Sequence, residues 1–367
     1  MIISSQKEPR FHLVKREGIS FLSASLIRLF AVGLSLLVCG VLIIALTGMN
    51  PLSVYAGIWD GAVGTTRRMW ITLRESAILL CISLAILPAF KMKFWNIGAE
   101  GQVLAGAVAT ATVMIYGKNL PTPWLFVLMI GCAVGAGIVW GMIPAFFKAQ
   151  WNTNETLFTL MLNYVITQVV ACCVVLWEGV KGSNSVGLIN RAGKIGWLPS
   201  INGNTYILTI LVVLVLTVIL YIYMQYTKHG YEVSVVGESE NTARYAGINV
   251  KKVIVRTMAL SGGICGLAGF LLVSGSGHTI STSLVGGRGF TAIVVAWLGK
   301  LNPFAMILVS FFLIFMEKGS IEIASQFKLN ESASEILTGI ILFFILGCEF
   351  FIQYRIERRK QQEEIKA

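Results

Sequence analysis

Charge is what this sequence has least of. Only 13% of its 367 residues are Asp, Glu, Lys or Arg, against about 25% in an ordinary soluble domain. Two or three soluble domains of this combined length could not cover their surfaces with so little charge. That excludes a secreted or cytosolic globular enzyme. Asp60 is the only aspartate, and His12, His229 and His278 are the only histidines, without metal-ligand spacing. A metal site has no basis in such a set. No G-x-S-x-G, H-E-x-x-H or G-x-x-x-x-G-K-[ST] occurs. Lys118, Lys194 and Lys300 each follow a glycine but none precedes a hydroxyl residue. The chain therefore has no phosphate-cradling loop and no catalytic constellation. Its seven cysteines (Cys39, Cys81, Cys132, Cys172, Cys173, Cys265 and Cys348) lie in or beside apolar runs and form no C-x-x-C pair. They read as small packing residues.

What is abundant is apolar surface. Apolar residues make up 56% of the chain, glycine numbers 37, and the mean hydropathy is +0.76. The fold class expected is an all-α polytopic membrane protein. Apolar runs place about ten transmembrane helices near 29–48, 71–90, 100–116, 123–147, 157–177, 205–226, 255–275, 285–299, 303–319 and 335–354. The first run is about 20 residues, enough to cross a hydrocarbon core of ~30 Å. Its basic leader (Lys7, Arg10, Lys15, Arg16 and Arg28) is too long for a cleaved signal peptide. The organisation expected is a basic cytoplasmic segment 1–28, a transmembrane domain 29–354 with a long inner loop at 227–254, and a cytoplasmic tail 355–367.

The surplus of basic residues tests that topology. The chain carries 29 Lys plus Arg against 18 Asp plus Glu. With both termini in the cytoplasm, 19 basic residues fall in inner segments and 10 in outer segments or outer span ends, Arg74 and Arg288 among the latter. That bias matches a multi-pass protein of the bacterial plasma (inner) membrane with both ends inside. Spread over many loops, the basic residues form no stripe for a nucleic acid. Glycines four apart, Gly131 and Gly135, Gly137 and Gly141, Gly262 and Gly266, suit close helix packing in lipid. Blocks 71–177 and 255–354 are similar in length and five spans apart, the pattern of two inverted four-helix blocks. GAEGQVLAG at 98–106 faintly echoes GGICGLAGF at 262–270.

Polar residues inside apolar sequence need a reason. In FWNIGAEGQ at 94–102, Asn96, Glu100 and Gln102 alternate with Gly98 and Gly101. Either this is a broken helix lining a polar path, or a cytoplasmic turn with Asn96 as cap and Glu100 in the first helical turn. In NETLFTLMLNY at 154–164, Asn154 suits a helix cap and Glu155 the positive helix end. Asn163, about two turns further on beside Tyr164, either bonds a neighbouring helix or faces the path. Within the inner loop, residues 240–248 read as a short helix with Ser239 or Asn241 as N-cap and Gly247 as its stop. A helix that short needs a docking surface, on this chain or on a partner.

NIGAEGQ at 96–102, NETLFTLMLNY, ENTARYAGINVKK at 240–252 running into Ser261–Gly269, and GRGFTAIVVAWLGKLNP at 287–303 together resemble one family. They are similar to permease subunits of bacterial ABC importers for nucleosides and related sugars, of the longer permease type. More distantly they resemble ribose and branched-chain amino acid permeases. The resemblance covers roughly residues 90 to 350. The sequence departs from it in FKMKFWN at 90–96, where Arg or Gly is more usual before the Asn. The resemblance implies a second, shorter permease in a heterodimer and an extracytoplasmic solute-binding lipoprotein. It also implies a cytoplasmic ATPase that holds ATP and Mg, this chain binding no cofactor itself. It places ATPase coupling at Glu240, Asn241, Arg244, Tyr245 and Gly247, and the substrate path at Asn96, Glu100, Gln102, Asn154, Glu155, Asn163 and Tyr164. The alternative is a proton-coupled secondary transporter of small polar solutes with Glu100 or Glu155 titrating. Acids clustered at span ends count against it.

Overall fold

The structure is a computed structural model that describes residues 11–15, 20–48, 50–201, 203–327 and part of 336–358. It divides into two compact units, residues 65–314 and the combination of 1–64 with 315–367.

The second of these joins the two ends of the sequence. Strand β1 (Phe11–Lys15) pairs antiparallel with β2 (Tyr354–Arg358), Leu13 opposite Ile356. Helix α1 (Phe21–Thr47) starts on Ser20, whose side chain accepts from the Ser23 amide, and stops at Gly48 with φ +67°. Helix α2 (Pro51–Val63) was not among the expected spans. Asn50 caps it and Pro51 presets its first turn. Its Gly61 lies against Glu322, and Gly319 lies against Ile58, so the late turns of α12 (Pro303–Phe327) pack on α2 through glycines. Of the sequence expectations, half of segment 1–28, part of the span at 335–354 and most of the tail lie outside the described residues.

Unit 65–314 holds α3 (Thr66–Lys91), α4 (Ala99–Tyr116), α5 (Thr122–Trp151), α6 (Glu155–Trp177), α7 (Ile207–Tyr226), α8 (Lys228–Glu238), α9 (Glu240–Tyr245), α10 (Val250–Phe270) and α11 (Arg288–Leu298). A π-helical turn, Leu271–Gly277, extends α10. Among the described residues six helices are long and apolar enough to cross a membrane: α3, α5, α6, α7, α10 with its extension, and α12. The count of ten is not reached among them. The expected span 285–299 is corrected: α11 has 11 residues, which at ~1.5 Å per residue is about 16 Å, half a bilayer core. Its apolar composition imitates a span, but Gly286 and Gly287, at φ +63° and +78°, turn the chain just before it.

α10 is the centre of this unit and packs on α3, α4 and α5. Its contact with α5 is a glycine seam. A Cβ on Gly137 would fall far inside van der Waals distance of the Gly262 carbonyl, and one on Gly266 likewise of Ala133. A Cβ on Gly106 of α4 would lie 2.5 Å from Gly266 Cα, so the two segments that echo each other in sequence cross here. Backbones this close gain dispersion contacts that lipid cannot outcompete. Gly131 and Gly135, at the same spacing, face open space. Helix α4 owes its Ala, Gly and Thr content to this crowding. Most of its side chains from Ala99 to Ala111 are buried.

Candidate functional site

The chain breaks helical geometry at two places in this unit, and they meet. After α3, residues 92–98 run non-helical into α4. After the π turn, residues 278–287 run non-helical into α11. Freed backbone groups inside an apolar bundle must find internal partners. Side chains supply them at the first break. The Ile97 amide donates to Thr159 Oγ1 (3.3 Å), and the Ile97 carbonyl accepts from Asn163 Nδ2 (3.0 Å). Asn163 Oδ1 accepts from the Gly101 amide (2.9 Å), and Asn96 Oδ1 from the Gly98 amide (3.0 Å). Asn96 Nδ2 donates to Gln102 Oε1 (3.3 Å) and Ser261 Oγ (3.2 Å), and Gln102 Nε2 returns a bond to Asn96 Oδ1 (3.2 Å). Asn96, Gln102 and Asn163 are all buried. Asn96 thus closes a turn ahead of α4, whose N-cap position is Gly98 without a side-chain cap bond.

At the second break the positive end of α11 meets a carboxylate. Glu100 Oε1 accepts from the Gly287 amide (2.9 Å) and Oε2 from the Gly289 amide (2.7 Å). This is the anion site that a helix N-terminus provides, filled by the protein's own side chain. Gly289 has to be glycine: a Cβ there would lie 2.5 Å from the Glu100 amide nitrogen. Beside it, Glu75 of α3 pairs with both Arg74 and Arg288. Arg74 also stacks over the Tyr206 ring at 5.0 Å. Four ionisable side chains therefore gather where α3, α4 and α11 converge.

The structure brings Asn96, Glu100, Gln102 and Asn163 of the predicted path together. It leaves three others apart. Asn154 caps α6 through the Leu157 amide (3.1 Å), and Glu155 pairs with Lys148 at 2.9 Å. Tyr164, 67% exposed, points off the outer face of α6. Sequence reasoning missed Ser261, Arg74, Glu75 and Arg288. The sequence alone puts Arg74 and Arg288 at outer span ends. Both are largely buried partners of Glu75. The available signal was the pair Arg74-Glu75 inside an apolar run, which lipid tolerates only when partnered.

Removing the Asn163 amide is expected to orphan the Gly101 amide and the Ile97 carbonyl together. Asn163→Ala should cost about 2–4 kcal/mol, at ~1–3 kcal/mol per unsatisfied buried group. Thermal unfolding of the detergent-solubilised chain reads this, and a change under ~0.5 kcal/mol would show that water replaces the amide.

Broken helices that end on charges within an apolar bundle recur in membrane transport proteins. Residues 68–346 match the family described as branched-chain amino acid transport system / permease component, and the chain belongs to this family of membrane permeases. A glucose ABC transporter permease of Haloferax volcanii is 29% identical over 334 residues, covering 88% of this chain and 87% of that one. A guanosine ABC transporter permease of Bacillus subtilis is also 29% identical over 334 residues, 88% of this chain and 93% of its own. A second guanosine permease of the same organism is 25% identical over 259 residues, 68% of this chain and 80% of its own.

Proposed function

We propose that this chain is the permease subunit of an ATP-binding cassette importer that moves nucleosides or related sugars inward across the plasma membrane. The named solutes of the relatives, guanosine and glucose, support that substrate class. Two distinct guanosine permeases in Bacillus subtilis support a heterodimer with a shorter partner. A solute-binding lipoprotein outside and an ATPase inside complete the assembly, the ATPase holding ATP and Mg. Asn96, Gln102 and Asn163 shape the path wall at the first break and Glu100 at the second, while Asn154, Glu155 and Tyr164 lie apart from it at the start and on the exposed face of α6. Both termini are cytoplasmic. The pairing of β1 with β2 supports both ends lying on one side, and the 19 inner against 10 outer basic residues support that side being the cytoplasm.

The observation that carries the reading is α9. Ser239 caps it, its side chain accepting from the Thr242 amide (3.3 Å), and Gly247 at φ +77° turns the chain away. Only Ala243 is buried, whereas Tyr245 is 94% exposed and Glu240, Asn241 and Arg244 are exposed. Six residues do not make a stable helix alone. A short, firmly capped helix that displays its polar and aromatic side chains is built to enter a groove on a cytoplasmic partner. Glu240 and Arg244, paired at 3.4 Å, present a fixed charge pattern to that groove.

Tyr245→Ala with Arg244→Glu should reduce ATP-driven uptake at least ~10-fold while thermal stability moves by less than ~0.5 kcal/mol, as for exposed substitutions. Gly247→Val should reduce coupling too, because a left-handed backbone costs a branched residue about 1–2 kcal/mol. The test is uptake of labelled guanosine by proteoliposomes holding the permease pair, the ATPase and the binding protein. Uptake by this chain alone under a proton gradient, or full uptake in the Tyr245 variant, sinks the reading.

A further inference from the structure

The first turns of α8 and α10 line one groove of about 380 Å³ at the foot of the bundle, with Ala246–Asn249 closing one side. Two helix N-termini therefore direct their partial positive charge into the same space. Neither has an acidic residue in its first turn. Lys228, Lys252 and Arg256 line the groove, against the single carboxylate of Glu232. Glu232 lies 4.0 Å from Lys228 and 3.9 Å from Arg256, loose pairs that leave the groove with a positive excess. His229 completes the lining and is only 6% exposed. Its Nδ1 meets the Tyr223 hydroxyl, and its Nε2 has no partner. A buried ring nitrogen without a partner marks a place where a ligand or water belongs. Burial, and then the charge of Arg256, hold the His229 pKa below its ordinary value. A bound anion would oppose the second effect.

The depth of the groove identifies a source. Lys228 and His229 follow the end of the apolar helix α7 at Tyr226 after Thr227 alone. Tyr226 is 77% and Tyr231 65% exposed, on either side of that junction. Exposed tyrosines at the end of a span mark the headgroup level. Basic pockets at that level suit lipid phosphates.

We propose that this groove binds a phosphate-bearing anion, supplied at this depth by an anionic phospholipid headgroup. Lys252 and Arg256 contact the phosphate, and the amides left open by the Thr227 and Asn249 caps at the starts of α8 and α10 orient it. The leaflet, but not the site, rests on the cytoplasmic orientation proposed above.

The test titrates the purified full chain in neutral detergent at fixed ionic strength, reading its thermal midpoint. The probes are dihexanoyl phosphatidylglycerol, dihexanoyl phosphatidylcholine and inorganic phosphate. Phosphatidylglycerol is expected to act at a concentration at least ~10-fold below phosphatidylcholine. The double variant Lys252→Gln with Arg256→Gln should weaken it at least ~10-fold, the scale set by two lost cation–phosphate contacts. Stabilisation by inorganic phosphate alone, lost in the same variant, keeps the anion site and assigns a soluble source. Glu232→Gln should bind tighter, which a merely unfolded or weakened protein cannot do. Absence of any shift, or equal shifts in wild type and the double variant, overturns the site. No ATPase or solute takes part, so failure here leaves the importer reading standing.

Discussion

Glu75→Leu is expected to be the most damaging single change in unit 65–314. It leaves Arg74 and Arg288 with no shared carboxylate in a site where both are largely buried. Removing one partner of a buried ionic group typically costs about 3–5 kcal/mol, because the remaining charge has lost both water and its counter-ion. A total stability of ~5–15 kcal/mol leaves little after that loss. The expected result is a sharp fall in monodisperse yield from membranes and a much lower thermal midpoint. Adding Arg288→Leu should recover part of the loss, since it removes one of the two guanidinia that Glu75 pairs with and leaves only Arg74 without its carboxylate. Glu100 keeps its two amide donors in either variant. If the double variant is as unstable as the single, charge pairing is not what holds α3 to α11.

Gly266→Ala comes next, and its effect should be out of proportion to one methyl group. The new Cβ would overlap the Ala133 backbone of α5, and Gly106 of α4 closes the other side. None of the blocking atoms is the flexible end of a side chain, so a helix has to move. Overpacking costs about 1–3 kcal/mol in forgiving cores and more where backbone blocks the way. The control is unusually close in sequence terms. Gly131→Ala and Gly135→Ala add the same methyl at the same four-residue spacing, with nothing within 4 Å. Those should be neutral or slightly stabilising, as Gly→Ala in an open helix position usually is. Parallel thermal scans decide it, and similar losses at all three positions would mean the seam is not the cause.

That contrast shows what could be read from the chain and what could not. Small residues four apart announce close packing, but spacing on α5 does not say which pair has a partner. Only the opposing glycines of α10 decide that. The short helix is legible in the sequence at 240–248 with Ser239 or Asn241 as cap, because caps and stops are local chemistry, and the structure narrows it to Glu240–Tyr245 with Ser239 as the cap. Asn154 as the cap of α6 was legible for the same reason. The remainder is non-local. Hydropathy reads residues 285–299 as a span, although Gly286 and Gly287 begin α11 only after a turn. Arg74 and Arg288 pass for loop charges until Glu75 is found between them, far away along the chain for Arg288. Glu100 drew notice as a polar interruption, but its partners lie almost two hundred positions downstream at Gly287 and Gly289.

The unit built from residues 1–64 and 315–367 has a consequence for biogenesis. The sequence that separates its halves is the whole of the other unit. β1 has to wait until the ribosome has made β2 at 354–358, and α2 until it has made Gly319 and Glu322. A chain stalled near residue 314 would hold the complete broken-helix site yet show an open strand edge and an uncovered helix face. Unpaired edges and bare apolar faces are what quality-control proteases and chaperones bind. Closure of the terminal unit thus reports that synthesis has passed β2.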